Sequence, residues 1–399
     1  MLIALDARSL LEPLTGVGYY SYYLFWHLLE QDKQNDYLLL GPAGLRRNLL
    51  KARLPREEKI HRLQQAAVGG FRKRSAYERL KLLMFYGPSA VFRIYHLRWR
   101  ANLFFGPNFL GFFSANCTTV ITVHDVSYLI YPDCIAEKTL RILRKHMPTH
   151  LARADHIIAV SQNTRKDLVR LCGVPEEKIA VIYPGYNAEL FKPLPIENRV
   201  LSDKFNLKPG YILYVGTIEP RKNLITLLQA HRLLCRKGIT VPLVFCGAIG
   251  WKSESFFNTL RSLESKDSVR LLGYVDEQSL PLLYNGAACF AFPSIYEGFG
   301  LPLVEAMACG CPVISSNVSA IPEVVGDAGL LIKDPLDQSM LADAIEQVIG
   351  DETRQQQMHL KGIERATRFS WRKTARETLK IFTELLGENE TNSFDSYVH

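Results

Sequence analysis

Short apolar runs alternate with longer segments of helical period along most of the chain. In the first half the runs are Leu2 to Asp6, Tyr37 to Leu40, Leu103 to Phe105, Thr119 to Val123 and Ile157 to Val160. Each is too short for a helix and carries the β-branched and aromatic residues of a buried strand. Helical spacing falls between them, notably over Tyr19 to Glu30 and Leu140 to Arg153. The second half repeats the style with runs at Tyr211 to Val215, Leu243 to Cys246, Val269 to Leu272, Cys289 to Phe292 and Pro312 to Ser315. Helical patterns there cover Leu224 to Lys237, Phe256 to Lys266 and Leu336 to Ile349. Strands that alternate with helices predict parallel sheets covered on both faces. Trp371 to Leu386 is amphipathic, and Gly387 to His399 reads as a frayed polar tail. The stretch from Pro184 to Pro209, with Pro193 and Pro195, marks the boundary between the halves.

The strongest local signal follows the run Ala287 to Pro293. It reads Ser294-Ile-Tyr-Glu-Gly-Phe-Gly-Leu-Pro302 and continues through Glu305 to Gly310. Gly298 and Gly300 break the regular structure, and Glu305, Met307 and Ala308 sit in a helix that Gly310 and Pro312 close. The predicted geometry is strand, glycine loop, helix N-terminus. Such a terminus offers open N–H groups and a favourable dipole to an anion. Glu297 and Glu305 flank it, placed to hold the hydroxyls of a sugar nucleotide.

Other strand ends carry chemistry. Gly216-Thr-Ile-Glu-Pro-Arg-Lys-Asn223 follows a strand and precedes a helix, with Asn223 in a capping position. Arg221 and Lys222 would aim a forked donor set and a second cation into a cleft, where a diphosphate leaving group develops negative charge. Thr15-Gly-Val-Gly-Tyr19 follows the first strand, and Gly16 and Gly18 would let backbone amides approach phosphate. Tyr22 occupies the third glycine's place, so the dinucleotide-binding fingerprint is incomplete. His124-Asp125 ends the strand Val120 to Val123. Ser161 is placed to cap the next helix, and Gly185 to give the chain freedom at a hinge.

These motifs together resemble the Glu-x7-Glu group of retaining GT-B glycosyltransferases (glycosyltransferase group 1, family 4), which includes bacterial polysaccharide mannosyltransferases. The resemblance covers nearly the whole chain. It is most specific from Gly216 to Gly326 and weakest from Arg46 to Arg100. It implies two doubly wound Rossmann-like domains facing a central cleft. An acceptor domain would span 1–185, completed by the C-terminal helix 371–387. A linker would cover 186–209, a nucleotide-sugar domain 210–370 and a polar tail 388–399. It further implies that Glu297, His124, Arg221 and Lys222 are catalytic. Donor binding would fall to Gly16, Gly18, Gly216, Arg221, Lys222, Tyr274, Val275, Gly298, Phe299, Gly300, Leu301 and Glu305. His124 would sit beside the donor sugar, and Glu305 would hold the ribose. Gly185-Tyr186-Asn187 departs from the Gly-Val-Asp of many relatives, so Asn187 receives no role.

Asp-x-Asp occurs nowhere in the sequence. Arg221, Lys222 and the helix terminus replace the charge a divalent metal would supply, so no metal or other cofactor is expected. The opening Asp6-Ala-Arg8 with Thr-Gly-Val-Gly, and His-Asp-Val-Ser-Tyr128, resemble the mannosyltransferases, which points to GDP-mannose. UDP-glucose and UDP-N-acetylglucosamine are the alternative donors. An epimerase or a non-catalytic nucleotide-sugar-binding module would share the cleft. The expected acceptor is a lipid-linked or growing saccharide in surface polysaccharide synthesis, such as lipopolysaccharide O-antigen.

Composition and charge refine the partners. The 399 residues are 47% hydrophobic and 22% charged, enough for two domains. The net charge of +8 is concentrated: residues 46–100 hold 15 Lys/Arg against three acids, which leaves the remainder negative. Leu80, Phe85, Tyr86, Tyr95 and Trp99 interleave with that charge, a pattern suited to an anionic membrane surface. Nucleic acid ranks below it because no nucleic-acid module accompanies the patch. No apolar stretch is long enough to span a membrane, and the eight scattered cysteines read as reduced thiols. The expected location is the cytoplasm, peripheral at the inner face of the membrane.

Overall fold

The computed structural model describes residues 1–10, 14, 16–41, 44–47, 100–114, 116–195, 198–263 and 268–395. The basic segment lies outside the described residues except for Arg46, Arg47 and Arg100. No helix among the described residues is long and apolar enough to cross a membrane.

Two sheets carry the molecule. The first joins β1 (Leu2–Asp6), β2 (Asp36–Gly41), β3 (Gly44–Arg47), β4 (Leu103–Gly106), β5 (Thr118–Val123), β6 (His156–Ala159) and β7 (Ile179–Val181) in the order β3-β2-β1-β4-β5-β6-β7. All its pairings are parallel except β2 with β3. The second joins β8 (Tyr211–Val215), β9 (Leu243–Cys246), β10 (Val269–Gly273), β11 (Ala287–Phe292), β12 (Val313–Ser316) and β13 (Leu330–Ile332) in the order β10-β9-β8-β11-β12-β13. It is parallel throughout. Strand order reverses between β1 and β4 and between β8 and β11. Those are the places where ligands enter a doubly wound sheet, at the carboxyl ends of the strands. The central strands β8 and β9 are buried along their whole length, as sheets covered on both faces require.

Several boundaries differ from the sequence pattern for local reasons. β7 and β13 have three residues each, below the length that periodicity detects. The helix expected from Leu336 begins at Gln338, because Asp337 caps it by accepting the N–H groups of Ser339 (2.8 Å) and Met340 (3.0 Å). Ser161 caps helix Gln162–Cys172 as expected, accepting the Thr164 N–H at 3.0 Å. Asn223 does not act as a side-chain cap. Its backbone is left-handed (φ 56°), and its amide donates to the carbonyls of Pro293 and Pro335.

The last helix, Trp371–Asp395, leaves the second sheet and packs on helix Gly16–Gln31 of the first half. Trp371 stacks on Tyr23 at 5.6 Å and meets Tyr20 edge-on at 5.6 Å. Phe382 packs on Phe105 at 5.3 Å. Burying each such ring contributes about 1.5–3 kcal/mol. The helix continues to Asp395, past the end of the apolar pattern and through the segment expected as a polar tail. Gly185 sits where the chain crosses this helix. A Cβ there would stand 2.0 Å from the Trp371 nitrogen, so close approach rather than hinge freedom demands the glycine.

Candidate active site

The two sheets meet around the loop that follows β11. That strand ends at buried Phe292, and the chain then runs through Pro293 to Gly300 before helix Leu301–Ala308. Gly300 adopts φ 104° at the N-cap, and Pro302 sits in the first turn, where its missing N–H has no helical partner to lose. Gly298 faces the first sheet so closely that a Cβ would stand 1.9 Å from the His124 carbonyl oxygen. The loop is therefore pressed against the end of β5.

Glu297 is 6% exposed and lies between two cations. Its Oε1 accepts from Lys222 Nζ at 2.6 Å and its Oε2 from Arg221 at 3.1 Å. Burial alone would raise the carboxyl pKa, but the charges of Lys222 and Arg221 outweigh it and hold Glu297 at about 2. Arg221 also donates to the Tyr296 carbonyl (2.7 Å) and to Glu219 (2.8 Å). Burial opposes its charge, yet Glu297, Asp125 and Glu219 keep the guanidinium firmly protonated. Lys222 lies 5.2 Å from the Phe292 ring centroid; burial and the neighbouring guanidinium pull its pKa down, while Glu297 pulls it up. At 2.6 Å from an ionised carboxylate it is an ammonium. The sequence suggested two free cations aimed at a diphosphate. The structure instead balances Arg221 and Lys222 against Glu297 and Glu219.

Glu305 occupies a different setting one helix turn inside. Tyr284 donates to its Oε2 at 3.0 Å. Burial and the negative charge of Glu277 raise the Glu305 pKa to about 8 despite that bond. Glu277 in turn accepts from Tyr23 of the first half at 2.8 Å, and Asn187 donates to the same phenol at 3.2 Å. Burial and Glu277 also raise the phenol pKa of Tyr19, which keeps it a donor. Tyr274, 60% exposed, follows β10, and Val275 packs partly into the core.

The remaining expected residues separate into two groups. His124 and the glycines lie in the loops and helix starts that follow strands. His124 Nε2 lies 2.9 Å from the Pro107 carbonyl, which can only accept, so Nε2 carries the hydrogen. Burial lowers the imidazole pKa, leaving a neutral ring with Nδ1 as an acceptor. Gly16 opens helix Gly16–Gln31 with nothing within 4 Å of a built Cβ, whereas Gly18 is tight against Leu14 and the Ser9 carbonyl (3.0 and 3.1 Å). Gly216 (φ 149°) stacks on Gly247, whose Cβ would stand 2.0 Å from the Gly216 oxygen. Phe299 and Leu301 turn inward. The Phe299 ring packs on Tyr183 (5.9 Å) and Phe369 (5.4 Å), so its backbone is what it can offer a ligand. Leu301 packs against the core.

Sequence reasoning missed Glu219, Tyr23, Glu277, Asp167, Ser319 and Glu323. Glu219 was visible two residues before Arg221. The others reach the site from separate segments, and no spacing in one stretch could reveal them.

Comparison with known proteins places the chain in a family and a fold. The family profile described as Glycosyltransferase Family 4 matches residues 15–190, and that described as Glycosyl transferases group 1 matches residues 198–365. The chain is 31% identical over 394 residues to O-antigen chain mannosyltransferase B of Escherichia coli, covering 96% of this chain and 99% of that one. Two solved structures share the fold. One is Anabaena Alr3699/HepE in complex with UDP-glucose (TM-score 0.72, 18% identity, 96% of this chain and 100% of that one). The other is sucrose-phosphate synthase from Thermosynechococcus elongatus (TM-score 0.71, 21% identity, 97% and 100%). The chain thus belongs to the group 1, family 4 glycosyltransferases and is a glycosyltransferase of GT-B fold.

Proposed function

We propose that this enzyme transfers mannose from GDP-mannose, with retention and without a metal, to a lipid-linked or growing saccharide in surface polysaccharide synthesis. The observation that carries the reading is the buried Glu297 carboxylate held between Arg221 and Lys222 at the meeting of the two halves. The mannose donor and saccharide acceptor are carried over from the E. coli relative, an O-antigen chain mannosyltransferase.

In the proposed reaction the bond between the anomeric carbon and the diphosphate oxygen breaks first. The developing oxocarbenium charge is favoured by Glu297, which Lys222 and Arg221 keep ionised against the effect of burial. The diphosphate gathers the negative charge and draws on Arg221 and Lys222, loosening their bonds to Glu219 and Glu297. The acceptor hydroxyl attacks on the face the leaving group vacates. Its proton passes to the departing phosphate oxygen, so no separate base is required. His124 Nδ1 accepts a sugar hydroxyl, and Gly16 and Gly18 bring backbone amides toward the phosphates. Tyr274 and Val275 flank the base, and Glu305 receives the ribose. Gly216, Gly298 and Gly300 shape the walls through backbone that a side chain would block.

The test incubates the protein in EDTA with GDP-mannose, UDP-glucose or UDP-N-acetylglucosamine and a saccharide acceptor, and reads nucleotide release and product configuration by NMR. GDP release from GDP-mannose alone, with an α-linked product, is expected. An inverted product, release only from a UDP-sugar, or dependence on added divalent metal would each overturn the corresponding part.

A further inference from the structure

Helix Gln162–Cys172 belongs to the first half, between β6 and β7, yet it touches the Glu297 loop by three separate routes. Asp167, 5% exposed, accepts the Tyr296 hydroxyl at 2.9 Å, one residue before Glu297. The same Oδ2 accepts from Asn163 at 2.9 Å, and Oδ1 from Arg170 at 2.9 Å. The Thr164 hydroxyl lies 3.2 Å from the His124 carbonyl and 3.4 Å from that of Gly298, one residue after Glu297. The third route runs through Glu323. Its carboxylate crosses from the second half and accepts the N–H groups of Gln162 (2.9 Å) and Asn163 (3.0 Å) at the helix N-terminus. The dipole there favours a negative charge. Tyr183 adds a third donor at 3.1 Å.

Glu323 is coupled to Glu297 through the backbone. Ser319 Oγ accepts the Glu297 N–H at 2.8 Å, and the Ala320 N–H reaches the Glu297 carbonyl at 3.4 Å. Helix Ile321–Val325 starts at that point. Residues 296, 297 and 298 are therefore each tied to one helix of the opposite half. Arg221, Lys222 and Glu219 belong to the second half and stay with Glu297 whether or not the halves are closed. They set its charge. The ties to helix Gln162–Cys172 exist only when the halves meet.

We infer that helix Gln162–Cys172 is a clamp that brings Glu297 to its reactive position on closure, with Asp167, Tyr296 and Glu323 as positioning residues. The inference rests on the proposed role of Glu297. Misplacing a reacting group by 1 Å costs about a hundredfold in rate, so the loss of one tie out of three should be felt in turnover. Nucleotide affinity should change far less, because the ties end on the Tyr296 hydroxyl, the Gly298 carbonyl and the Glu323 carboxylate, whereas Arg221 meets Tyr296 only through its backbone carbonyl.

The experiment compares wild type with Tyr296→Phe, Asp167→Asn and Glu323→Gln, measuring kcat, donor KM, GDP affinity and Tm. Each variant should lose about tenfold or more in kcat with GDP affinity within about twofold. Tyr296→Phe with Asp167→Asn should be no slower than the worse single change, since both cut one bond. Tyr296→Phe keeps its ring and carries the test if Asp167→Asn fails to fold. Unchanged kcat with a lowered Tm would overturn the clamp and leave a merely structural contact; so would a loss confined to GDP affinity. Glu297→Gln in the same assay separates the two readings. If it turns over like wild type, the role of Glu297 falls. If it is inactive while the clamp variants run at full speed, only the clamp falls.

Discussion

Glu297 and Glu305 stand at the two ends of one glycine loop, and their surroundings drive them in opposite directions. Both feel burial, which disfavours a carboxylate. Glu297 meets Lys222 and Arg221 and stays ionised down to about pH 2. Glu305 meets the negative charge of Glu277 and holds its proton up to about pH 8. One residue type at a fixed spacing thus supplies a permanent charge at one end of the loop and a neutral, adjustable group at the other. The spacing sets where the two carboxyls sit; charges from distant segments decide what each one is.

The largest break in this contrast is Lys222→Met. It leaves a buried carboxylate with half its compensation, and losing one partner of a buried pair costs about 3–5 kcal/mol. Urea unfolding should show a loss of that order, with turnover down at least about a hundredfold. Wild-type stability should carry the sign of the same pair. A depressed Glu297 pKa contributes stability that is present above the usual carboxylate range and is lost as pH falls from about 4.5 toward 2. The raised Glu305 pKa acts the other way, its contribution lost as pH rises from about 4.5 through 8.

Gly298→Ala comes next, because its Cβ meets backbone, the His124 carbonyl, at 1.9 Å. The two halves should fail to close around the loop, with turnover falling about a hundredfold while GDP still binds. Isothermal titration beside a rate assay checks both. Glu305→Gln sharpens the other end. In the proposed role of Glu305, donation from the ribose hydroxyls would favour its ionised form, so wild-type GDP affinity should rise, with proton release, as pH goes from 6.5 to 8.5. The glutamine variant should show a flat profile by calorimetry in buffers of different ionisation enthalpy. Tyr23→Phe is the smallest change. It removes the 2.8 Å donor to Glu277 that ties the halves beside Glu305, and should weaken GDP binding about threefold to tenfold.

How much of this was legible in the sequence follows the same division. The central strands were readable because both faces of each sheet are covered, so β8, β9 and β11 are continuous apolar runs. Glu297, Arg221, Lys222 and the glycines were readable because each lies in a short strand–turn–helix stretch of its own. β7 and β13 were too short to show, and Asn223 looked like a cap although its side chain binds two carbonyls. Illegible too were the partners that tie the halves across the fold. Tyr23 lies 254 residues from Glu277 and Asp167 lies 129 from Tyr296. The pairing of Arg221 with Glu219 was in plain view, yet whether adjacent charges pair or project depends on burial, which the sequence does not state. The basic segment from Arg46 to Arg100 remains an expectation from charge and aromatic content alone.

The most direct measurement is GDP-mannose turnover in EDTA by wild type and Glu297→Gln, with GDP affinity measured for both. The account predicts steady GDP release by the wild type, a loss of about a hundredfold to a thousandfold in the variant, and nearly equal GDP binding. A variant that turns over at the wild-type rate, or a wild type silent in EDTA and restored by magnesium, would contradict it.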